Sequence, residues 1–331
     1  MKKRSLLLLL LPIFVSGSVS CSNINKYGDT IFPPDEIPLV VPSGAPTLSV
    51  YNLINKDKAE VTTSTSNIPA YFSNGAYPFI VFDSTKGSTL LEKQGENARY
   101  EFDRMLTGGN FHLFAFNKNE SDYEKLDIKD EDYIIGFQKD GTPDKLFRSI
   151  YDDVIICDTY FNDISSLRDK LLTMNLDYKI DKNKIDYAIV AEPAATIIKT
   201  KLTNKGLKIL DINLQKEFKK KNASKWDKEF IPQAGLFVRK DIKETYKEYY
   251  NQITQEITSS IKTVLSNPNE VKTSIESKFL SAEEQVAHFG FASSIVTSVQ
   301  GENGAKNGFG IVPNDVNFTK ADIKNFNGLL I

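Results

Sequence analysis

The stretch Asp186-Tyr-Ala-Ile-Val-Ala-Glu192-Pro193-Ala-Ala-Thr196 sets a short apolar run, Tyr187 to Ala191, against a carboxylate and a proline. The run has the length and composition of a buried strand. Pro193 cannot donate to a strand ladder and suits the first turn of a helix, so the strand is predicted to stop at Glu192. Ala195, Ile198, Lys199 and Leu202 then return at helical spacing. The result is a strand whose carboxyl end holds a lone carboxylate at a helix start, the place where open α/β sheets receive ligands. An ordinary strand-helix junction carries the same signature, so the stretch fixes the element and leaves the role of Glu192 open.

The same grammar recurs along the 331 residues. Ile37 to Val41 reads as a strand, followed by Pro42-Ser43-Gly44-Ala45-Pro46-Thr47, after which Leu48, Tyr51 and Ile54 keep helical spacing. Ser43 suits an N-cap, and Gly44 allows close approach to the backbone. Glu60 to Thr65 and Tyr77 to Asp83 are further strands, the second running into Ser84-Thr85. Tyr100 to Leu106 and Phe111 to Phe116 flank Thr107-Gly108-Gly109-Asn110, where two glycines predict a turn or a close approach. Tyr133 to Phe137 leads through Gly141-Thr142-Pro143 into a helix, and Val154 to Asp158 and Leu207 to Ile212 are strands. Residues 216–228 read as a charged surface segment. From Lys243 an amphipathic helix (Tyr246, Tyr250, Ile253, Ile257, Ile261, Val264) runs to Asn267-Pro268, and a last helix covers Lys320 to Leu330.

Strands and helices alternating in this way predict an α/β protein with mainly parallel sheets. The composition turns polar after residue 116, which sets a crossing between two lobes just before 117; the strand at 231–239 returns to the first lobe. The expected organisation is a leader at 1–21, a tether at 22–35, the first lobe at 36–116, the second at 117–230, and a return to the first at 231–331.

The leader is read from Lys2-Lys3-Arg4, an apolar stretch from Leu6 to Val15, small residues 16–20, and Cys21. That is the pattern of a secretory signal. Its apolar part is shorter than the ~20 residues a bilayer span needs. A cysteine directly after the small residues resembles a bacterial lipobox, although Ser18 stands where leucine is usual. The resemblance implies lipidation of Cys21 by fatty acyl chains such as palmitate, and a protein anchored on the outer side of the cell membrane. Cys157 is then the one remaining cysteine, so no internal disulfide is available, and its apolar neighbours predict a buried side chain.

The chemistry excluded is as informative. A net charge of −2 gives no basic excess for a nucleic acid. The Gly301–Gly310 segment is not a P-loop, because no lysine and serine or threonine follow at the required spacing. His112 and His288 are far apart, and neither has a second histidine or cysteine at ligand spacing, so no metal or cofactor and no enzymatic triad is expected. What remains is a set of small, hydroxyl-bearing turns at strand ends, suited to an anionic or strongly polar small ligand at helix starts. Those turns supply the candidate ligand-binding residues Gly44, Ala45, Pro46, Thr47, Thr65, Ser84, Thr107, Gly108, Gly109, Asn110, Gly141, Thr142 and Pro143, with Glu192 beside them.

Taken together, Val41-Pro-Ser-Gly-Ala-Pro-Thr47, Thr107-Gly-Gly-Asn110, Gly136 through Thr142-Pro143-Asp144, Asp186 through Thr196 and Ile231-Pro-Gln-Ala234 resemble the type II periplasmic binding proteins of ABC importers. The nitrate, sulfonate, taurine and thiamine-precursor group is the one they resemble. The resemblance spans nearly the whole chain after the leader. It implies two α/β lobes closing on a small solute, a monomer, and partnership with an ABC permease and its ATPase. A thiamine-pyrimidine synthase of the same fold uses a cysteine-rich motif that is missing here. A surface adhesin or scaffold on the same fold is the competing expectation.

Overall fold

The computed structural model describes residues 37–129, 131–151, 157–173, 185–299 and 308–330. The leader, Cys21 and the tether lie outside the described residues, as do Val154–Ile156 of one expected strand and residues 301–307 of the glycine-rich segment.

Two five-stranded sheets lie within one unit that begins at Pro34. The first contains β1 (Leu39–Pro42), β2 (Ala59–Thr62), β3 (Phe79–Asp83), β4 (Tyr100–Gly108) and β10 (Pro232–Arg239), in the order β2-β1-β3-β10-β4. The second contains β5 (Phe111–Phe116), β6 (Ile134–Phe137), β7 (Thr159–Phe161), β8 (Tyr187–Ala191) and β9 (Ile209–Asn213), in the order β7-β6-β8-β5-β9. In the first sheet β1 is parallel to β2 and β3, while β10 runs antiparallel to β3 and β4. The second repeats this, with β6 parallel to β7 and β8, and β5 antiparallel to β8 and β9. In each sheet the reversed strand is therefore the one that has just crossed from the other.

This places β5 in the second sheet, not in the first lobe, where the composition shift at 117 had put it. The crossing is Gly109-Asn110, between the end of β4 and the start of β5. The polar stretch after Phe116 is a surface excursion of the second lobe, and a crossing needs no such stretch when two residues suffice. Gly109 has φ +67°, and a Cβ there would lie 1.5 Å from Gln215 Oε1. That same oxygen accepts the Ile231 N–H at the return crossing. Gly109 thus admits one glutamine that braces both crossings.

The apolar run that predicted β8 is buried throughout. One face of the second sheet (Phe114, Ile135, Ala188, Val190) packs on Leu167, Leu171, Ile198 and Leu202 of the helices Ile164–Thr173 and Ala194–Asn204. Over the first sheet Phe72, from the helix Ile68–Asn74, packs on Tyr100 and Phe237, with ring centroids 5.2 and 5.1 Å from its own. The helix Ser84–Gln94 approaches Phe237 closely at Gly87, where a Cβ would meet the ring at 2.3 Å. The segment expected to be merely charged surface contains a helix, Leu214–Lys221, whose Leu214 and Phe218 are buried while its lysines stay outside. Cys157 is buried and free, and burial pushes its thiol up to about 12, so it packs as a small hydrophobe rather than reacting.

Candidate functional site

The carboxyl ends of β1, β3, β6 and β8 converge on a cavity of about 710 Å³ walled by both lobes. Its first-lobe wall includes Ser43–Pro46, Thr62–Ser66, Phe82, Asp83 and Lys86. Its second-lobe wall includes Phe137–Lys139, Tyr160–Ser165, Arg168 and Ala191–Ala194. Phe82, Phe111, Phe137, Tyr160 and Phe161 give it apolar surface, and carboxylates, lysines and hydroxyls lie between them. Size and lining match an organic solute better than a bare inorganic ion.

Of the residues singled out in the sequence, Gly44, Ala45, Pro46, Thr65, Asn110 and Glu192 line this cavity. Thr47 stands just behind it, its hydroxyl donating to Gly44 O at 2.7 Å. The Gly44 N–H is itself engaged by Phe289 O. Thr107 is fully buried in a bridge with Ile311, and the Gly108 N–H donates to Gly310 O at 2.7 Å. Asn110 is a joint: its Nδ2 donates to Glu192 O and Phe309 O, and its Oδ1 accepts from Gln233 Nε2. The stretch Thr107–Asn110 therefore builds the crossing, and only Asn110 reaches the cleft. Ser84, Thr142, Gly141 and Pro143 stand at or beside the starts of the helices Ser84–Gln94 and Thr142–Ile150.

Asp83, absent from the sequence-derived site, is the most connected polar group of the cleft. Its Oδ1 accepts from the Thr85 and Lys86 N–H groups, both at 2.9 Å, and from the Thr85 hydroxyl at 2.7 Å. Its Oδ2 accepts from the Thr142 hydroxyl of the other lobe at 2.8 Å. The one sequence signal was its place as the acidic end of an apolar strand, a signal it shares with Glu192.

Glu192 behaves differently. Its carboxylate turns back into the second lobe, accepting the Thr196 N–H at 3.0 Å and the Thr196 hydroxyl at 2.9 Å. The Glu192-Pro193 peptide is cis. Burial raises the Glu192 pKa, outweighing the lowering by His112 and by the Thr196 donors. His112 Nε2 lies 3.9 Å away, and His112 Nδ1 is paired with Asp211 Oδ1 at 2.7 Å. Lys199 Nζ contacts the other Asp211 oxygen at 2.9 Å. Burial alone would lower the His112 pKa; the bond to Asp211, with the Asp211 and Glu192 charges, reverses that and raises it. Burial would raise Asp211, and His112 and Lys199 together overcome it, holding Asp211 at about 2. This chain of charges borders a second cavity of about 440 Å³, which Glu192 also touches. His112 belongs to that charge network and does not line the cleft. Among the described residues no group of three or more His, Cys, Asp or Glu side chains could hold a metal ion.

The two sheet orders, each interrupted by one antiparallel strand and facing one cleft, decide the comparison with known structures. The fold is that of the type II periplasmic binding proteins. An ABC transporter protein from Parabacteroides distasonis is 14% identical, with a TM-score of 0.53 over 84% of this chain and 98% of its own. The alkanesulfonate-binding protein of Xanthomonas axonopodis pv. citri, solved with MOPS, is 9% identical (TM-score 0.52, 89% and 92% covered). The periplasmic nitrate-binding protein of Synechocystis is 12% identical (TM-score 0.51, 81% and 71% covered). No protein-family model matches the chain, and no curated protein matches its sequence. The likeness is thus one of periplasmic-binding-protein architecture, whose solved examples include an alkanesulfonate-binding protein, a nitrate-binding protein and the ligand-binding component of an ABC-type import system from Staphylococcus aureus. No helix among the described residues is long and apolar enough to cross a membrane.

Proposed function

We propose that the chain is an exported solute-binding protein, anchored to the membrane through Cys21. In this reading it captures a small polar organic solute between its lobes and delivers it to an ABC permease driven by an ATPase. The observation that carries the reading is the cavity of about 710 Å³ at the strand ends of both lobes, with aromatic and polar groups from each. A solute touching both walls stabilises the closed arrangement through contacts that an open one lacks. The Gly109-Asn110 and Ile231 crossings are the points about which the lobes pivot, and Gln215 couples them. Glu192 serves as cap and brace in the second lobe, and the solute is held by the groups around it.

A thermal-shift panel of sulfonates, nitrate, taurine, thiamine precursors and uncharged polar solutes tests this. A cognate solute at a hundredfold excess over its Kd stabilises by ~2.7 kcal/mol, which for a chain of this size is a shift of a few degrees. Complete silence across the panel favours the adhesin or scaffold reading, and turnover of a panel member would make the protein an enzyme.

A further inference from the structure

We infer that Asp83 is a built-in anion that fills the meeting point of the two helix starts, so that the cleft takes a solute presenting a hydrogen-bond donor there and rejects an oxyanion at that point. The inference rests on the solute-binding reading and narrows its ligand class.

The helix Ser84–Gln94 begins in the first lobe and the helix Thr142–Ile150 in the second. Free helix N-termini attract anions through unpaired N–H groups and the backbone dipole. In the first helix both the Thr85 and Lys86 N–H groups are already taken by Asp83 Oδ1. The second helix has Gly141 at its N-cap and no side chain of its own to cap it. Its first residue instead sends a hydroxyl across the cleft to Asp83 Oδ2. The Thr85 and Thr142 hydroxyls lie 3.2 Å apart, so both helix starts meet at this one carboxylate.

An oxyanion seated here would have to displace Asp83 or sit against its like charge. A donor would not. An ionised carboxylate offers about four acceptor positions. Asp83 Oδ1 carries three donors, whereas Oδ2 accepts from Thr142 alone among the described residues, and Asp83 lines the cavity. A hydroxyl, amide N–H or ammonium of the solute completes Oδ2. Any acidic group on that solute is left to the cations of the walls, Lys86 on the first lobe and Lys139 and Arg168 on the second.

The test titrates nitrate, sulfate and methanesulfonate, at constant ionic strength, into wild type, Asp83→Ala and Asp83→Asn, following melting temperature and calorimetric heat. Wild type is expected to show no saturable response. Asp83→Ala vacates the meeting point and should acquire saturable anion binding at least tenfold tighter than wild type, weakened again when Thr142→Val is added. Asp83→Asn keeps the shape while removing the charge, so it reports on repulsion even if the alanine variant does not fold; it too should bind methanesulfonate more tightly than wild type. Saturable anion binding by wild type that either substitution leaves unchanged or weakens would overturn the inference. So would folded variants that gain nothing. Failure of the parent reading looks different: wild type then binds no solute of any charge, whatever the variants do with anions.

Discussion

The two lobes carry a carboxylate at equivalent places and use it in different ways. The sheets superpose in order as β2-β1-β3-β10-β4 on β7-β6-β8-β5-β9, so Asp83 at the end of β3 corresponds to the position that Glu192 takes just after β8. Each accepts an N–H from the first turn of the following helix, as a capping carboxylate does. Asp83 then reaches across the cleft to Thr142. Glu192 stays in its own lobe beside His112, Asp211 and Lys199. Equivalent topology therefore sets where a carboxylate sits, while the neighbouring side chains set whether it faces the cleft or braces the scaffold.

Four substitutions break or sharpen that contrast. The largest effect is expected from Gly109→Ala, at the crossing that ties Glu192 to Asn110. A methyl group with φ +67° and a clash with Gln215 Oε1 would strand the buried Ile231 N–H. The expected cost is about 3 kcal/mol, from left-handed strain plus one unsatisfied buried donor. Denaturant unfolding measures it, and a loss below ~1 kcal/mol would show the brace to be dispensable.

Next is the His112–Asp211–Lys199 network. His112→Ala leaves Asp211 with Lys199 alone, and the expected loss near neutral pH is on the order of 2 kcal/mol. Two signs follow. Asp211 is lowered to about 2 from 3.8, so its contribution is present above the unfolded value and disappears as pH falls between them. His112 is raised above 6.5, so its contribution is full below 6.5 and lost as pH rises through the raised value. Wild-type melting temperature should therefore decline both as pH falls below 3.8 and as it rises above 6.5. The variant should lose the decline above 6.5, and an unchanged decline there would detach His112 from the network.

Glu192→Gln is expected to change stability by less than ~1 kcal/mol, because a glutamine oxygen can still accept from Thr196. Its direction is informative. A carboxyl with a raised folded pKa is favourable below its unfolded value, and that advantage is lost as pH rises through the folded one. The glutamine variant should thus gain on wild type as pH rises above 4.5. A growing deficit instead would give Glu192 a charge-dependent role like that of Asp83.

The smallest effect is Thr107→Val. The Thr107 hydroxyl is buried without a hydrogen-bond partner among the described residues. An isosteric methyl removes that unsatisfied group, so stability should hold or rise by up to ~1 kcal/mol, with solute affinity unchanged. A tenfold loss of affinity would return Thr107 to the cleft.

The strands were legible because burial on both faces writes itself as an apolar run. Phe111–Phe116 and Tyr187–Ala191 are strands with the bounds that their composition gives. The first crossing was misplaced because composition reports exposure, and the exposed stretch after Phe116 is not where the chain changes sheet. The cleft was legible as a set of turns, since small residues after strands mark helix starts. Which turns face the cleft was not. Thr107–Asn110 has the glycines of a ligand loop, yet Gly109 makes room for Gln215 and Gly108 for Phe230 and Ile231, all more than a hundred residues away in the chain. The Asp83–Thr142 and His112–Asp211 pairs span 59 and 99 residues, and only strand register and lobe closure bring them together.

The central claim is that one solute is held by both lobes at once. Thr65 and Ser165 line opposite walls of the cavity, and each is partly exposed, so a tryptophan at either fills the cleft without entering a core. Calorimetric titration of a panel solute that stabilises wild type should give one site per chain. Thr65→Trp and Ser165→Trp should each weaken that binding at least tenfold. Wild-type affinity in either variant would place the solute on one lobe alone and contradict the account.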